Sequence, residues 1–206
     1  PQEGKIFSIP IQGDIDMGLP FYIERGIDQA EKEGADFILF EIDTFGGRLD
    51  AATRIKDAIL DTKIPTVAFI NRRAISAGAL ISLSCDSIFI ASGGTIGAAT
   101  AVDQSGKKAS EKVISYMREE MASTAEANNR NRDVAAAMVD EDIEIPFAID
   151  TKKDTLFAIE ISGFKSGKLV TLSTLQALRL GIADGEYDSR SDLLHHLYPG
   201  EYILVT

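Results

Sequence analysis

The sequence predicts an α/β fold in which helices pack on the faces of a largely parallel sheet, and three observations support this prediction. Short apolar runs typical of strands alternate with longer runs whose apolar residues recur every three or four positions. Glycine-containing turns separate many of these segments. Residues 37–42 form a nearly continuous apolar run, which is typical of a central parallel strand covered on both faces. Repeated strand, turn and helix units of this kind imply a layered α/β fold.

The first half of the chain contains three such units and the beginning of a fourth. Helices are predicted at residues 19–33, 49–59 and 75–84. Gly13 and Asp14 predict a turn before the first helix. Strands are predicted at residues 5–11, 37–42, 66–70 and 87–91.

The second half begins with the longest helical pattern and then changes in texture. That pattern runs over residues 110–128, with an apolar stripe formed by Val113, Tyr116, Met117 and Met121. A β-rich insertion is predicted near residues 141–170, where β-branched and aromatic residues are interrupted by glycine and aspartate. The remaining predicted elements are helices at 133–139 and 174–180 and a strand at 202–205.

Composition predicts a single domain over residues 1–206, because 206 residues with 45% apolar content can bury one substantial core. The net charge of −11 repels phosphate backbones and argues against a nucleic-acid partner. The lone Cys85 permits no intramolecular disulfide and is predicted to be a small buried hydrophobe. Apolar runs of about 20 residues, which membrane-spanning helices need, do not occur in the sequence. A start without methionine suggests a domain excised from a longer protein.

Ser76 is the candidate nucleophile, because it follows a predicted strand and stands at the start of a predicted helix. There, unpaired N–H groups and the positive end of the helix dipole favour a developing anion. The simpler alternative is that Ser76 only caps the helix, which is a common role for serine.

Paired glycines, Gly46 and Gly47, directly follow the predicted central strand. Their N–H groups are suited to stabilise the oxyanion of a tetrahedral intermediate, although a simple strand-to-helix turn is the alternative. Turns after neighbouring parallel strands can meet over one crevice at the carboxyl edge of a sheet. We therefore expect this turn and Ser76, one unit later, to share a site.

Five runs in the same order give the sequence a specific resemblance: IDTFGG (42–47), AISAG (74–78), GTIGA (94–98), GKLVTLS (167–173) and ALRLGIAD (177–184). The chain resembles the NfeD-type membrane-bound serine proteases, also called stomatin operon partner proteins, which are relatives of ClpP and of signal peptide peptidase A. The resemblance implies a ClpP/crotonase-like fold and a Ser-Lys catalytic dyad. Two residues depart from the family pattern: Phe45 replaces a usual proline, and Ile75 replaces a usual small residue before the nucleophile.

The resemblance assigns the catalytic base to Lys112, which precedes Tyr116 in the long helix. Without the resemblance, Lys107 and Lys108 are equally good candidates for the base. The alternative for Lys112 itself is an ordinary solvated lysine in the first turn of a helix. A lysine acts as a base only when its pKa falls towards neutrality, and burial among apolar groups lowers it. Val113, Ile114 and Tyr116 are expected to form such a pocket around Lys112.

A histidine base is disfavoured, although chain order alone does not exclude it. His195 and His196 are the only histidines, and they lie among leucines near the end of the sequence. A helical segment of this composition is expected to pack one histidine and to turn the other to solvent.

The sequence therefore predicts a serine endopeptidase that acts without a metal or cofactor. Ser76 would attack a peptide carbonyl while Lys112 takes its proton, and the N–H groups of Gly47 (with Gly46 as an alternative) and Ala77 would receive the oxyanion. The segment Thr95, Ile96 and Gly97 is expected to shape the substrate groove, with an isolated structural turn as the alternative.

Partners and location follow from the resemblance. It implies hydrophobic segments of membrane-associated proteins as substrates, a stomatin-like membrane protein as partner, a homodimer or larger assembly, and a membrane-anchored parent protein with this domain outside the cytoplasm. Two alternative functions stay open: an inactive ClpP-like binding or scaffold domain, and a crotonase-like acyl-CoA enzyme.

Overall fold

A mixed sheet forms the centre of the computed structural model, which describes residues 3–102, 105–145, 147–150, 155–158 and 167–206. The strands of this sheet are β1 (Gly4–Ile15), β2 (Phe37–Gly47), β3 (Thr66–Ile75), β4 (Ser87–Ile90), β5 (Thr95–Gly97), β8 (Thr171–Ser173), β9 (Gly185–Glu186) and β10 (Tyr202–Val205). Within the described ranges the path of paired strands is β10-β1-β2-β3-β4-β9, and every pairing along it is parallel. The short strand β5 pairs parallel with β3 and antiparallel with β8.

Helices cover both faces of the sheet. Strand β2 contributes Ile38, Phe40 and Ile42 to one apolar cluster and Phe37 and Leu39 to another. The alternation confirms a central parallel strand that is covered on both faces. The helices are α1 (Leu19–Glu33), α2 (Leu49–Asp61), α3 (Ala77–Leu83), α4 (Glu111–Ala127), α5 (Arg132–Ala137), α6 (Thr174–Arg179) and α7 (Arg190–Leu197). The first six contribute to the larger cluster, and α7 contributes Leu193 and Leu194 to the smaller one.

Three strands of the sheet extend past their predicted ends. The turn predicted at Gly13 and Asp14 is wrong: both residues lie within β1, where the register with β2 shifts between Gln12 and Asp14. Gly13 has a φ of 72°, so its turn-forming conformation produces a bulge and not a chain reversal. Strands β2 and β3 likewise continue to Gly47 and Ile75. The long strands carry the glycine pair and the candidate nucleophile to one edge of the sheet.

The β-rich insertion predicted near residues 141–170 is confirmed at two strands. Strands β6 (Phe147–Asp150) and β7 (Thr155–Ala158) form an antiparallel pair that is separate from the main sheet. Residues 141–145 and 167–170 lie outside any strand, and residues 146, 151–154 and 159–166 lie outside the described residues. Towards the start of the insertion, Ile145 is buried in the main core and lies outside any strand.

A buried arginine fixes the far end of α4. The Arg130 guanidinium donates to the carboxylate of Asp184 at 2.8 Å, to the carbonyl of Ile182 at 2.9 Å and to that of Asp86 at 3.1 Å. Its side chain is only 3% exposed. Because such hydrogen bonds are fixed in direction, Arg130 joins α4 to the turn after α6 and to the start of β4.

Cys85 is fully buried, as predicted, and the apolar surroundings raise the pKa of its thiol far above the ordinary value. In the described part of the chain, we find no helix that combines the length and the apolar character needed to cross a membrane.

Candidate active site

Ser76 stands between β3 and α3 in a backbone conformation that is unusual for its residue type. Its φ is 56° and its ψ is −118°, a region that favours glycine. Holding a residue with a side chain there costs about 1–3 kcal/mol, and such strain clusters at functional sites. Although Ser76 occupies the N-cap position of α3, its side chain makes no capping hydrogen bond. The structure therefore does not support the simple capping role.

Strand β5 holds the backbone of Ser76 in place. The Ser76 N–H donates to the carbonyl of Gly97 at 2.9 Å. Gly97 has a φ of 135°, and a Cβ added there would lie 2.4 Å from the carbonyl oxygen of Val170. Glycine is therefore required at position 97, because a side chain would push β5 away from the segment before β8.

A second glycine contact brings the end of β2 against the nucleophile. Gly46 has a φ of 110°, and a Cβ added there would lie 2.7 Å from the Cβ of Ser76. Gly78 in the first turn of α3 has the same role from the other side, since its added Cβ would lie 2.6 Å from a methyl group of Thr44. The glycine backbone of Gly46 therefore packs against the side chain of Ser76, and that of Gly78 packs against the side chain of Thr44.

The N–H groups near Ser76 differ in their availability to an oxyanion. The Gly46 N–H already donates to Thr44 Oγ1 at 2.9 Å, and Thr44 Oγ1 donates to the carbonyl of Gly13 at 2.5 Å. Ala77 is the first residue of α3, so its N–H has no acceptor within the helix. Ala77 and Gly47 both border the space beside Ser76. The geometry favours these two residues over Gly46 as oxyanion donors.

A cavity of about 290 Å³ opens beside Ser76. Its walls come from the Gly47–Leu49 turn, from the segment 99–102 and from Val113 and Met117 of α4. Most of these side chains are apolar, so the cavity suits an apolar group next to the nucleophile. Among the residues that the structure describes, no group of three or more His, Cys, Asp or Glu side chains is arranged to hold a metal ion.

Lys112 lies in the first turn of α4, immediately before the cavity residue Val113, and its side chain is exposed. The expected pocket around it is not formed. Helix α4 buries Ile114 in the core, and Lys112, two positions earlier, faces about 200° away around the helix. Tyr116 is itself 48% exposed. The structure brings the helix of Lys112 to the site and leaves the Lys112 side chain exposed.

Lys108 and the two histidines are no better placed than Lys112 to act as the base. Lys108 forms an ion pair with Glu141 at 2.9 Å, and the hydrogen bond to this carboxylate raises the pKa of Lys108, which opposes action as a base. His195 and His196 are both exposed on α7, which packs on the other apolar cluster. Neither histidine is buried, because α7 buries Leu193 and Leu194 instead; the ring of His196 lies 5.1 Å from that of Tyr187.

The residues expected to shape the groove have unequal positions. Gly97 contacts the nucleophile through its carbonyl group. Ile96 is fully buried in the core, and Thr95 is half-buried and paired with Arg73 and Ser173 in the sheet. Because neighbouring strand residues face opposite sides, β5 brings mainly its backbone to Ser76.

The two residues that depart from the family pattern leave the cavity open. Phe45 is 70% exposed and alternates with Gly46 along β2, so its ring points away from Ser76. The guanidinium of Arg73 lies 4.5 Å from the centre of that ring and 3.2 Å from the carboxylate of Asp43. Ile75 is half-buried at the end of β3, opposite Gly97.

Sequence reasoning missed Thr44 and the segment 99–102. Thr44 organises the glycine turn through its hydroxyl, and its position two residues before Gly46 is a recognisable signal for a local side-chain-to-backbone turn. The segment 99–102 carries no such signal. Its place beside Ser76 depends on distant backbone contacts, such as that between the Ala99 N–H and the carbonyl of Met138 at 2.7 Å.

Comparison with known proteins gives one family and two relatives. The model of a family described as "NfeD1b, N-terminal domain" matches residues 5–201. The chain is 35% identical over 192 residues to Membrane protein NfeD1b of Bacillus subtilis, covering 93% of this chain and 41% of that protein. It is 30% identical over 148 residues to Membrane-bound protease PH1510 of Pyrococcus horikoshii, covering 68% of this chain and 34% of that protein. The chain thus spans less than half the length of either relative.

Solved structures with a similar fold include proteases. A serine-to-alanine mutant of the 1510-N membrane-bound stomatin-specific protease has a TM-score of 0.75 at 25% identity, covering 94% of this chain and 84% of that one. A lysine-to-alanine mutant of the same protease, in complex with a substrate peptide, has a TM-score of 0.74 at 26% identity, covering 93% of this chain and 79% of that one. ClpP1 from Listeria monocytogenes has a TM-score of 0.62 at 21% identity, and the match covers 90% of this chain and 94% of that one. At this identity the similarity shows only that the fold is shared.

These comparisons confirm the predicted ClpP-like fold, and the similar proteins include some that are named as proteases. The relatives are named as membrane proteins. With a family model that matches residues 5–201, the chain belongs to the NfeD1b N-terminal domain family.

Proposed function

We propose that this chain is a serine endopeptidase with Ser76 as nucleophile and Lys112 as base. The observation that carries the proposal is the conformation of Ser76: a strained backbone, packed against Gly46, with a hydroxyl that does not cap its helix. A serine on a sharp strand-to-helix turn presents its hydroxyl at the sheet edge. The half-buried Ser76 also borders an apolar cavity beside two candidate oxyanion donors.

The reaction has two steps. The Ser76 Oγ–H proton passes to Lys112 Nζ as Oγ bonds to the peptide carbonyl carbon, and the N–H groups of Gly47 and Ala77 receive the oxyanion. The C–N bond then breaks, and the Lys112 ammonium returns the proton to the leaving amine. A water molecule adds to the resulting ester, releases the new carboxyl group and restores the Ser76 hydroxyl.

Lys112 acts in this proposal after a change of side-chain conformation. Its backbone is next to that of the cavity residue Val113, and its long flexible side chain can fold over that residue towards Ser76. Hydrogen bonds of catalytic groups are often long before substrate binds. Substrate in the cavity would exclude water from the space around the amine.

The proposed substrates are hydrophobic segments of membrane-associated proteins, and a stomatin-like protein is the proposed partner. Support comes from the apolar cavity beside Ser76 and from the similar structures, which are named as a stomatin-specific protease and as its complex with a substrate peptide. We extend the proposal to a homodimer or larger assembly, and to a membrane-anchored parent protein that holds this domain outside the cytoplasm.

Labelling with a serine-directed fluorophosphonate, located by peptide mass spectrometry, tests the nucleophile. We expect Ser76 to be labelled and Ser76→Ala to lose both labelling and peptide cleavage. Ser110→Ala is the matched control, because Ser110 also occupies an N-cap position without a capping side-chain bond but has an ordinary φ of −61°. Equal labelling of Ser76 and Ser110 would contradict an activated nucleophile.

The exposed side chain of Lys112 favours one second candidate, a binding or scaffold domain that holds a partner without cleaving it. Lys112→Ala separates the two functions. An endopeptidase with this dyad loses cleavage in the variant and keeps its binding of substrate peptide to the cavity. A scaffold domain shows no labelling of Ser76, either in the wild-type chain or in Lys112→Ala.

A further inference from the structure

A second groove lies next to the cavity beside Ser76. It has a volume of about 640 Å³ and shares Arg48 and Leu49 with that cavity. Thr53 and Asp57 of α2 line one wall, and Tyr116 of α4 lines the other. The groove therefore lies between two helices and borders the cavity of the nucleophile at Arg48 and Leu49.

The length of the groove matches a short stretch of extended peptide. The α2 residues from Leu49 to Asp57 span about 12 Å at 1.5 Å per residue. An extended chain advances about 3.3 Å per residue, so this distance corresponds to about three or four residues. On the same two helices, Lys56 Nζ lies 2.9 Å from Glu120 Oε2, and this ion pair connects α2 to α4.

The charged residues of the groove are paired within the protein. Arg48 pairs with Asp50 at 2.7 Å, and Arg54 pairs with Glu24 at 2.5 Å. Asp57 pairs with Lys56 at 2.8 Å. Since each charge has an internal partner, the groove is suited to a neutral group and not to an ionised one.

The ring of Tyr116, the guanidinium of Arg54 and the hydroxyl of Thr53 indicate which kind of neutral group the groove would bind. The ring of Tyr116 is 48% exposed on the α4 wall. On the α2 wall, the Arg54 guanidinium stacks on the ring of Phe21, 4.0 Å from its centre, which fixes the plane of the guanidinium. Aromatic rings pack well against both kinds of surface. Thr53 lines the groove, and its Oγ1 is buried with no hydrogen-bond partner among the described residues, so a rotation of the side chain would let Oγ1 accept from a peptide amide.

We propose that this groove is a substrate subsite for a bulky apolar side chain, with an aromatic ring preferred, about three or four residues from the residue that occupies the cavity beside Ser76. The inference rests on the proposed function, because it assigns the occupant of the groove to the same peptide. Thr53 contributes a hydrogen bond to the peptide backbone, while Tyr116 and Arg54 contact the ring.

Peptide binding to the Ser76→Ala variant tests the inference without cleavage. The probes are fluorescent peptides with a leucine for the cavity and one phenylalanine at increasing distance from it, and the measurement is fluorescence anisotropy. We expect the tightest binding at a spacing of about three or four residues, and roughly tenfold weaker binding when that phenylalanine becomes alanine. Tyr116→Ala and the groove-filling Thr53→Trp, each added to Ser76→Ala, should abolish this preference.

Tyr22→Ala is the matched control, because Tyr22 is a comparably exposed tyrosine on α1 and does not line this groove. It should keep the preference for phenylalanine, and thermal unfolding monitored by circular dichroism verifies that each variant is folded. An unchanged preference in folded Tyr116→Ala or Thr53→Trp would overturn the subsite. If the wild-type chain cleaves none of these peptides while the groove-dependent preference persists, the endopeptidase proposal fails and the subsite stands.

Discussion

Replacing Gly46 with alanine would test whether the contact between the end of β2 and Ser76 sets the position of the nucleophile. The added methyl group would lie 2.7 Å from Ser76 Cβ and 3.0 Å from the carbonyl oxygen of Ile75, and ordinary contact begins near 3.4 Å. The turn must therefore shift. A misplacement approaching 1 Å lowers the rate of a catalysed reaction by about a hundredfold. We expect Gly46→Ala to lower the rate of fluorophosphonate labelling at Ser76 by that order.

A loss of stability must be separated from the loss of labelling rate, because Gly46 also has a positive φ. An alanine there adds a backbone penalty of about 1–3 kcal/mol, and each kcal/mol lowers Tm by about 2–4 °C in a domain of this size. Gly34→Ala is the control: its φ of 67° is also positive, but nothing lies within 4 Å of the added methyl group. It should lower Tm and leave labelling unchanged. Wild-type labelling of Gly46→Ala would refute the reasoning.

Two further predictions concern buried charges away from the nucleophile. Arg130→Met should lower the free energy of unfolding in urea by about 1–3 kcal/mol, because the carbonyl groups of Ile182 and Asp86 lose their hydrogen-bond donor. Arg132→Met, which removes two exposed ion pairs, should change it by less than about 1 kcal/mol. Burial disfavours ionised Asp140, but a backbone N–H and the Arg118 guanidinium outweigh burial and hold the Asp140 pKa below its ordinary 3.8. Asp140 therefore stabilises the fold above pH 3.8, and the stability lost in Asp140→Asn should shrink as the pH falls below this value; a pH-independent difference in urea unfolding would contradict it.

Much of the fold was predictable because its signals are local. Apolar runs and helical periodicity identify the elements through α4, since each pattern depends on neighbouring residues. The short strands β5 and β8 could not be predicted in this way. Each has three residues, and the pairing of Thr95 with Ser173 joins segments far apart in sequence. Such pairing depends on the tertiary structure and not on local preference.

The candidate site shows the same division. The positions of Ser76 and Gly46 were predictable, because residues at the ends of neighbouring parallel strands meet at one sheet edge. The exposure of Lys112 was not, because it depends on the rotation of α4 about its axis. The predicted stripe placed Val113 and Tyr116 with the buried methionines, whereas the helix buries Ile114 and leaves Tyr116 half exposed. A small rotation of a helix therefore decides which side chains enter the cavity.

The pairing of β1 with β10 has a consequence for how this domain forms during translation. Residues 4–7 pair with residues 202–205, so β1 is translated long before the strand that covers its outer edge. Until then β1, with the buried side chains of Ile6 and Phe7, has an open apolar edge, which is a surface that invites association with other nascent chains. Translation of β10 covers that edge and removes this surface.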